Sequence, residues 1–293
     1  NYNNIYISRT IYLTYFDSSQ YSISLAMNGN GRVIACGNPR DNSHPNVLIE
    51  RYTDSSDRYN SSSQYEILPD DAPQDNFGFS VSLNNEGDVL SVGMPRDNNN
   101  GAVYIYKYNE KDDIYYQVKK ITPADIDSNY DSAWFGFNVS LNKTGDKLII
   151  GDPKYDYDSF GSSNNNLDEN YGLIATCISS DTWDSDNNIT YTHKFGPKYS
   201  GLGSNNTVLS GEGNTLAFGI DTNNSENTTG EIIVYKFSNS NWIEDSRIIN
   251  SENLNSFGDT ISINDNGTRI AVYARYSTTY DLVKTYDYDS LAK

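Results

Sequence analysis

Residues 77–95 read FGFSVSLNNEGDVLSVGMP, and this stretch decides the fold. Ser80-Val81-Ser82-Leu83 alternates polar and apolar residues, the period-two pattern of a half-buried strand. Asn84 to Asp88 is an Asn-x-x-Gly-Asp turn in which Gly87 can take positive φ. Val89 to Val92 is the returning strand, ended by Gly93 and Pro95. A third strand is expected over Gly101–Tyr108 and a fourth over Tyr115–Ile121.

The same unit recurs along the chain. Residues 135–153 read FGFNVSLNKTGDKLIIGDP, 21–39 read YSISLAMNGNGRVIACGNP, and 257–273 read FGDTISINDNGTRIAVY. A fifth copy, 203–219, reads GSNNTVLSGEGNTLAFG and begins without a Phe-Gly pair. The turn glycines Gly31, Gly87, Gly145, Gly213 and Gly267 are spaced 56, 58, 68 and 54 residues apart. Further third strands are expected over 46–52, 172–179, 231–237 and 281–286. Four antiparallel strands per repeat define a propeller blade. The fold class is therefore all-β: one propeller domain over 1–293, of five blades starting near 21, 77, 135, 203 and 257. The last unit stops after its third strand. An N-terminal strand within 1–14 is expected to complete it, because Ile11 precedes Tyr21 by the ten residues that separate Ile67 from Phe77. Closure would hide the strand edges. A piece of a longer propeller is the competing picture.

Composition narrows the classes. Of 293 residues, 21 are basic and 39 acidic, a formal net charge of −18. Only 36% are hydrophobic, yet 13% are aromatic, 25 of them Tyr, which suits wet pleated surfaces rather than disorder. The lack of a basic patch argues against nucleic acid. No run of 18 apolar residues exists to span a membrane. Cys36 and Cys177 make neither a disulfide framework nor a zinc site and read as buried small hydrophobes.

The repeat resembles the FG-GAP repeat, the unit of the integrin α-subunit propeller. Phe77-Gly78 and Phe135-Gly136 carry the opening pair, and Gly93-Met94-Pro95 and Gly151-Asp152-Pro153 stand where the family has Gly-Ala-Pro. Gly101 to Tyr106 match its third strand; Trp183 and Trp242 match its outer-strand tryptophan. The resemblance implies a propeller in an extracellular, cell-surface or virion-surface setting. Its calcium hairpin, Asp-x-Asp-x-Asp-Gly-x-x-Asp, is replaced here by the short Asn-x-x-Gly turn, so those calcium sites are not carried over. The family form usually has seven blades, so five repeats make a smaller ring or an incomplete one.

Three site candidates remain. Asp125, Asp127, Asn129 and Asp131 place oxygens at every second position, the ligand type calcium takes, but lack the Gly and bidentate Glu of an EF-hand. A solvated linker between blades is the plainer reading, and no cofactor is required. Arg40, Arg96 and Lys154 occupy equivalent positions after the second strand of three units. They would form a basic arc for a carboxylate or sulfate, or simply pair locally. Asn60 and Asn227 lie in Asn-x-Ser/Thr sequences in polar loops, candidates for glycosylation. His44 and His193 have no nucleophile or metal-ligand spacing around them, and the inner strands carry Ser80, Ser82, Asn138, Ser140, Asn206, Thr260 and Ser262 rather than the paired carboxylates of a glycosidase. The chain is accordingly expected not to be an enzyme, but a propeller that binds a protein, a glycan or copies of itself. A calcium-dependent adhesion module and a five-bladed carbohydrate-active enzyme are the alternatives. The loop at 156–171 is expected to project, and Tyr104, Tyr106, Tyr108, Tyr115 and Tyr116 either to form an exposed lateral face or only to cover the outer strands.

Overall fold

A computed structural model describes residues 24–39, 46–52, 62–68, 76–96, 100–128, 134–154, 172–196, 202–204, 207–220, 230–252, 254–275 and 280–287. The expected N-terminal closing strand lies outside these residues, as do the loop at 156–171, Arg40, His44, Asn60, Asn129, Asp131 and Asn227.

Five antiparallel sheets are arranged as a propeller. Blade one contains β1 (Ser24–Met27), β2 (Val33–Asn38), β3 (Asn46–Tyr52) and β4 (Ser62–Ile67). Blade two contains β5 (Ser80–Leu83), β6 (Val89–Met94), β7 (Ala102–Asn109) and β8 (Ile114–Ile121). One helical turn, α1 (Pro123–Ile126), leads to blade three: β9 (Asn138–Leu141), β10 (Lys147–Asp152), β11 (Leu173–Ser179) and β12 (Ile189–Phe195). Blade four is β13 (Thr207–Leu209), β14 (Thr215–Ile220), β15 (Glu231–Ser238) and β16 (Asn241–Ile249). Blade five has three described strands, β17 (Ile261–Ile263), β18 (Arg269–Arg275) and β19 (Asp281–Asp287).

The hairpin turns repeat because one side chain caps each of them. Asn84 Oδ1 accepts from the main-chain N–H of Asp88 and Val89, at 3.1 and 3.0 Å. Asn28 does the same for Arg32 and Val33, Asn264 for Thr268 and Arg269, and Asn142 for Lys147. In blade four Ser210 Oγ takes the N–H of Thr215. The turns are then laced together: Gly29 N–H donates to Asn85 O, Asn85 to Lys143, Lys143 to Gly211, and Glu212 to Asp265.

The core is a series of slabs between blades rather than one centre. Val33, Val47 and Ile49 of blade one meet Phe77, Val81, Tyr104 and Tyr106 of blade two. Val103 and Ile105 meet Phe135, Leu148 and Trp183; Ile149 and Ile174 meet Leu202, Phe218 and Trp242; Ala217 and Ile232 meet Phe257, Ile261 and Val272. Tyr104 and Tyr106 are thus core residues, which corrects the expected tyrosine face. Of that set only Tyr116 is exposed, at 40%; the others fill the joint or lie half-buried. The physical reason is that both faces of a blade are buried against neighbours, so period-two alternation does not separate core from solvent here. Blade four, which lacks Phe-Gly, uses Leu202-Gly203 in the same place, with Leu202 fully buried.

Candidate functional site

The second strands of blades two and three end where the described run into the inner strand of blade three begins. Arg96 lies two residues beyond the second strand of blade two, and Lys154 two residues beyond that of blade three. Both turn toward Trp134, which precedes the Phe135-Gly136 pair. The Arg96 guanidinium carbon lies 5.8 Å from the Trp134 ring centroid, and Lys154 Nζ lies 5.7 Å from it. Trp134 stacks on Phe137 at 5.3 Å with 20° between planes, and Phe137 touches Phe79 at 4.7 Å. The three aromatic residues are half-buried while Arg96 and Lys154 are exposed. A cation held over an aromatic face is attracted by the ring quadrupole and loses part of its conformational freedom, which prepares it for an anion. The main chain of Lys154 is fixed as well, its N–H donating to Asp152 Oδ1 at 3.1 Å. Two of the three cations singled out in the sequence therefore converge on one indole. The sequence signal that was missed is Trp134 itself, one residue before the repeat motif.

Four polar residues of the inner strands are occupied in joining blades. Ser24 Oγ donates to Gly78 O, Ser80 Oγ to Gly136 O, and Ser82 Oγ accepts from Leu141 N–H. Asn138 Nδ2 donates to the carbonyls of Ser204 and Thr207. At the opposite end of the ring a cavity of about 210 Å³ gathers Met27, Leu83, Leu141, Leu209 and Ile263, one from each inner strand. Its rim includes Lys143, which pairs with Glu212.

Among the other candidates, Asp125 caps α1: its Oδ2 accepts from the Thr122 main-chain N–H at 2.7 Å and from Thr122 Oγ1 at 2.8 Å. That carboxylate already has a structural task next to Asp127. Among the described residues no three of His, Cys, Asp and Glu gather into a metal-sized cluster. His193 lies on β12 opposite Ala175. Cys36 and Cys177 are free and buried, and burial pushes both thiols above their ordinary pKa, which disfavours the thiolate. Among the described residues, no helix is long and apolar enough to cross a membrane.

The model of the FG-GAP repeat matches residues 62–106, the segment from β4 through most of β7. No curated protein matches the chain in sequence. Among solved structures the chain is similar to a protein assigned as a 6-phosphogluconolactonase from Bacteroides fragilis, at 12% identity and a TM-score of 0.53, covering 91% of this chain and 67% of that one. It is similar to prolyl oligopeptidase B from Galerina marginata, at 11% identity and a TM-score of 0.53, covering 93% of this chain and 33% of that one. A functionally unknown protein from Desulfotomaculum acetoxidans gives 13% and 0.51, with 92% and 70% covered. At such identities the likeness shows the propeller fold.

These likenesses correct the expectation that the chain is not an enzyme. Two of the propellers similar to it bear enzyme names, so the fold gives no ground for excluding catalysis. The exclusion rested on missing motifs and on inner strands without paired carboxylates. That argument addresses glycoside hydrolysis at the axis and leaves other chemistry untouched.

Proposed function

We propose that this propeller is a recognition module that binds another macromolecule, a protein or a glycan, at the end of the ring where Trp134 lies. The observation that carries the reading is the convergence of Arg96 and Lys154 on Trp134, continued by Phe137 and Phe79. On a chain of net charge −18, two exposed cations held on one aromatic surface favour an acidic group in the ligand, and Arg40 holds the equivalent sequence position in the first repeat. The FG-GAP repeat supports a place outside the cell, or on a cell or virion surface. Calcium is not required in this reading, and chelation leaves binding unchanged; Asp125 serves the turn between blades two and three. Asn60 and Asn227 would accept glycans in a source that glycosylates.

The test is surface binding to a panel of acidic and neutral polysaccharides and matrix proteins. Trp134→Ala and the double variant Arg96→Gln/Lys154→Gln should lose at least about tenfold in affinity with little change in melting temperature. Binding that survives both variants refutes the reading. A catalytic use of the same end is the second reading, favoured by the enzyme propellers of similar fold. Turnover of a phosphorylated sugar lactone or a peptide, lost in Arg96→Gln, would select it.

A further inference from the structure

Four of the five joints between blades are built alike, and the joint between blade five and blade one is not. In the four, a second-strand glycine of one blade touches the opening glycine of the next. A Cβ on Gly37, Gly93, Gly151 or Gly219 would stand 2.0 Å from the carbonyl oxygen of Gly78, Gly136, Gly203 or Gly258 respectively. By strand register the place of Gly219 in blade five is taken by Tyr273. By sequence alignment of the repeats the place of Gly78 in blade one is taken by Ser22. Both halves of the contact are changed at the same joint.

Exposure follows the same division. The apolar inner-strand residues that face the preceding blade are Val81, Leu83, Val139, Leu141 and Leu209, all 6–8% exposed, with Ile261 at 6% and Ile263 half-buried. Their equivalents in blade one, Leu25 and Met27, are 69% and 65% exposed. The third-strand residues that face the following blade, Val47, Val103, Ile174 and Ile232, are at most 1% exposed; Val283, their equivalent in blade five, is 69% exposed. Leu25 and Met27 point away from blade two, since Ser24 and Ala26 are the residues of β1 that meet it. Apolar side chains that are buried or half-buried at four joints stand in solvent on both sides of the fifth.

We infer that this joint is a receiving face, and that its occupant is a further blade of the same repeat type supplied by polypeptide outside these 293 residues. The positions left bare are the ones that take a neighbouring blade everywhere else in the ring. The incoming blade would set an Ile or Val of its third strand against Leu25 and Met27, and apolar residues of its inner strand against Val283 and Ala271. Exposed apolar surface of this kind marks an interaction site. The inference concerns a different surface from the one around Trp134 and stands without it.

Two experiments test it on the full chain. Met27→Cys/Ser262→Cys places thiols at the register positions of Ser82→Cys/Leu141→Cys, where Ser82 Oγ already meets Leu141 N–H. A short bis-maleimide should couple the control pair and leave the seam pair at least about tenfold slower. Equal rates mean that blades five and one pack directly, which overturns the inference. In the second, the chain is extended at its C-terminus by a further copy of residues 69–126. Main-chain hydrogen exchange of β19 should slow at least about tenfold relative to the unextended chain. Unchanged exchange overturns the inference, and so does a dimer of the unextended chain that Leu25→Asp abolishes, because the occupant is then a second copy.

Discussion

Gly93 of blade two and Gly136 of blade three approach so closely that a Cβ on Gly93 would lie 2.0 Å from the Gly136 carbonyl oxygen and 2.2 Å from Ser80 Oγ. Gly93 of the Gly-Met-Pro element and Gly136 of the next Phe-Gly element are therefore two sides of one joint between consecutive blades. The motif describes an interface, and Phe135 beside it, fully buried, fills the slab that the contact closes.

Gly93→Ala should separate that joint, because the obstacle is main chain on one side and a hydrogen-bonded serine on the other. A loss of about 3 kcal/mol is expected, at the upper end for overpacking. Gly29→Ala is the control. Its Cβ would meet Asn85 Oδ1 at 1.9 Å, but that is the tip of an exposed side chain able to swing away. Its loss should stay near 1 kcal/mol. Urea unfolding of both variants decides, and equal losses would show that backbone crowding is not the constraint.

The Asn of each turn should matter in proportion to its burial. Asn84 is buried and accepts two main-chain N–H groups while donating to Asp88 at 2.7 Å. Asn264 makes the equivalent pair of bonds in an exposed turn. Asn84→Ala leaves buried donors without a partner and should lose about 2 kcal/mol, whereas water replaces Asn264 and the loss should be about 0.5–1 kcal/mol. The comparison is made by chemical denaturation at one pH.

The repeat was legible because its signals are local. Alternation, an Asn-x-x-Gly turn and a terminal Gly lie within 19 residues of one another, as in 77–95. What escaped was whatever depends on the neighbouring blade. Tyr104 and Tyr106 read as a surface stripe but pack on Phe77, at 5.6 and 6.4 Å between ring centroids. Ser80 and Ser82 read as lining an axis but bond across a joint. Arg96 and Lys154 were visible as equivalent cations. Their shared indole was not, because Trp134 lies outside the repeated positions. Whether the fold is used for catalysis was not legible at all, since that depends on loops that no repeat constrains.

Stability should fall at both ends of the pH scale, for separable reasons. At Asp146, burial alone would raise the carboxyl, but hydrogen bonds from Thr144 and Asn142 and the charge of Lys147 outweigh it, so its pKa lies below the ordinary value. A depressed carboxylate stabilises the fold above its unfolded pKa and loses that contribution as pH falls through the lower folded value. Asp146→Asn should flatten the acid limb of the stability curve. At Tyr115, burial raises the phenol to about 12, against the opposing charge of Arg51, while its hydroxyl donates to Gly87 O at 2.6 Å. A raised phenol stabilises the fold fully below pH about 10 and loses that contribution as pH climbs to about 12. Tyr115→Phe should be less stable at neutral pH by about 1 kcal/mol yet lose less between those limits. Denaturant midpoints measured across the range would show either slope unchanged if the assignments are wrong.

Blade four is fastened to blade three by a buried side-chain hydrogen bond. Trp242 on β16 is buried, and its indole N–H donates to Thr176 Oγ1 on β11 at 2.7 Å, both groups lying out of reach of water. Trp183 instead bonds within its own blade, its indole N–H donating to the main-chain carbonyl of Gly145, which no substitution can remove. Thr176→Val keeps the shape of the joint but leaves the indole donor buried without its partner, for an expected loss of about 1–3 kcal/mol. Trp242→Phe removes the donor together with part of a large ring and should lose about 2 kcal/mol through the space it leaves. Once the indole is gone, Thr176→Val should lose much less, because the valine no longer strands a donor. A double-mutant cycle read by denaturant unfolding should therefore show a coupling of about 1 kcal/mol or more between the two positions. Simple additivity would mean that the bond contributes nothing beyond packing.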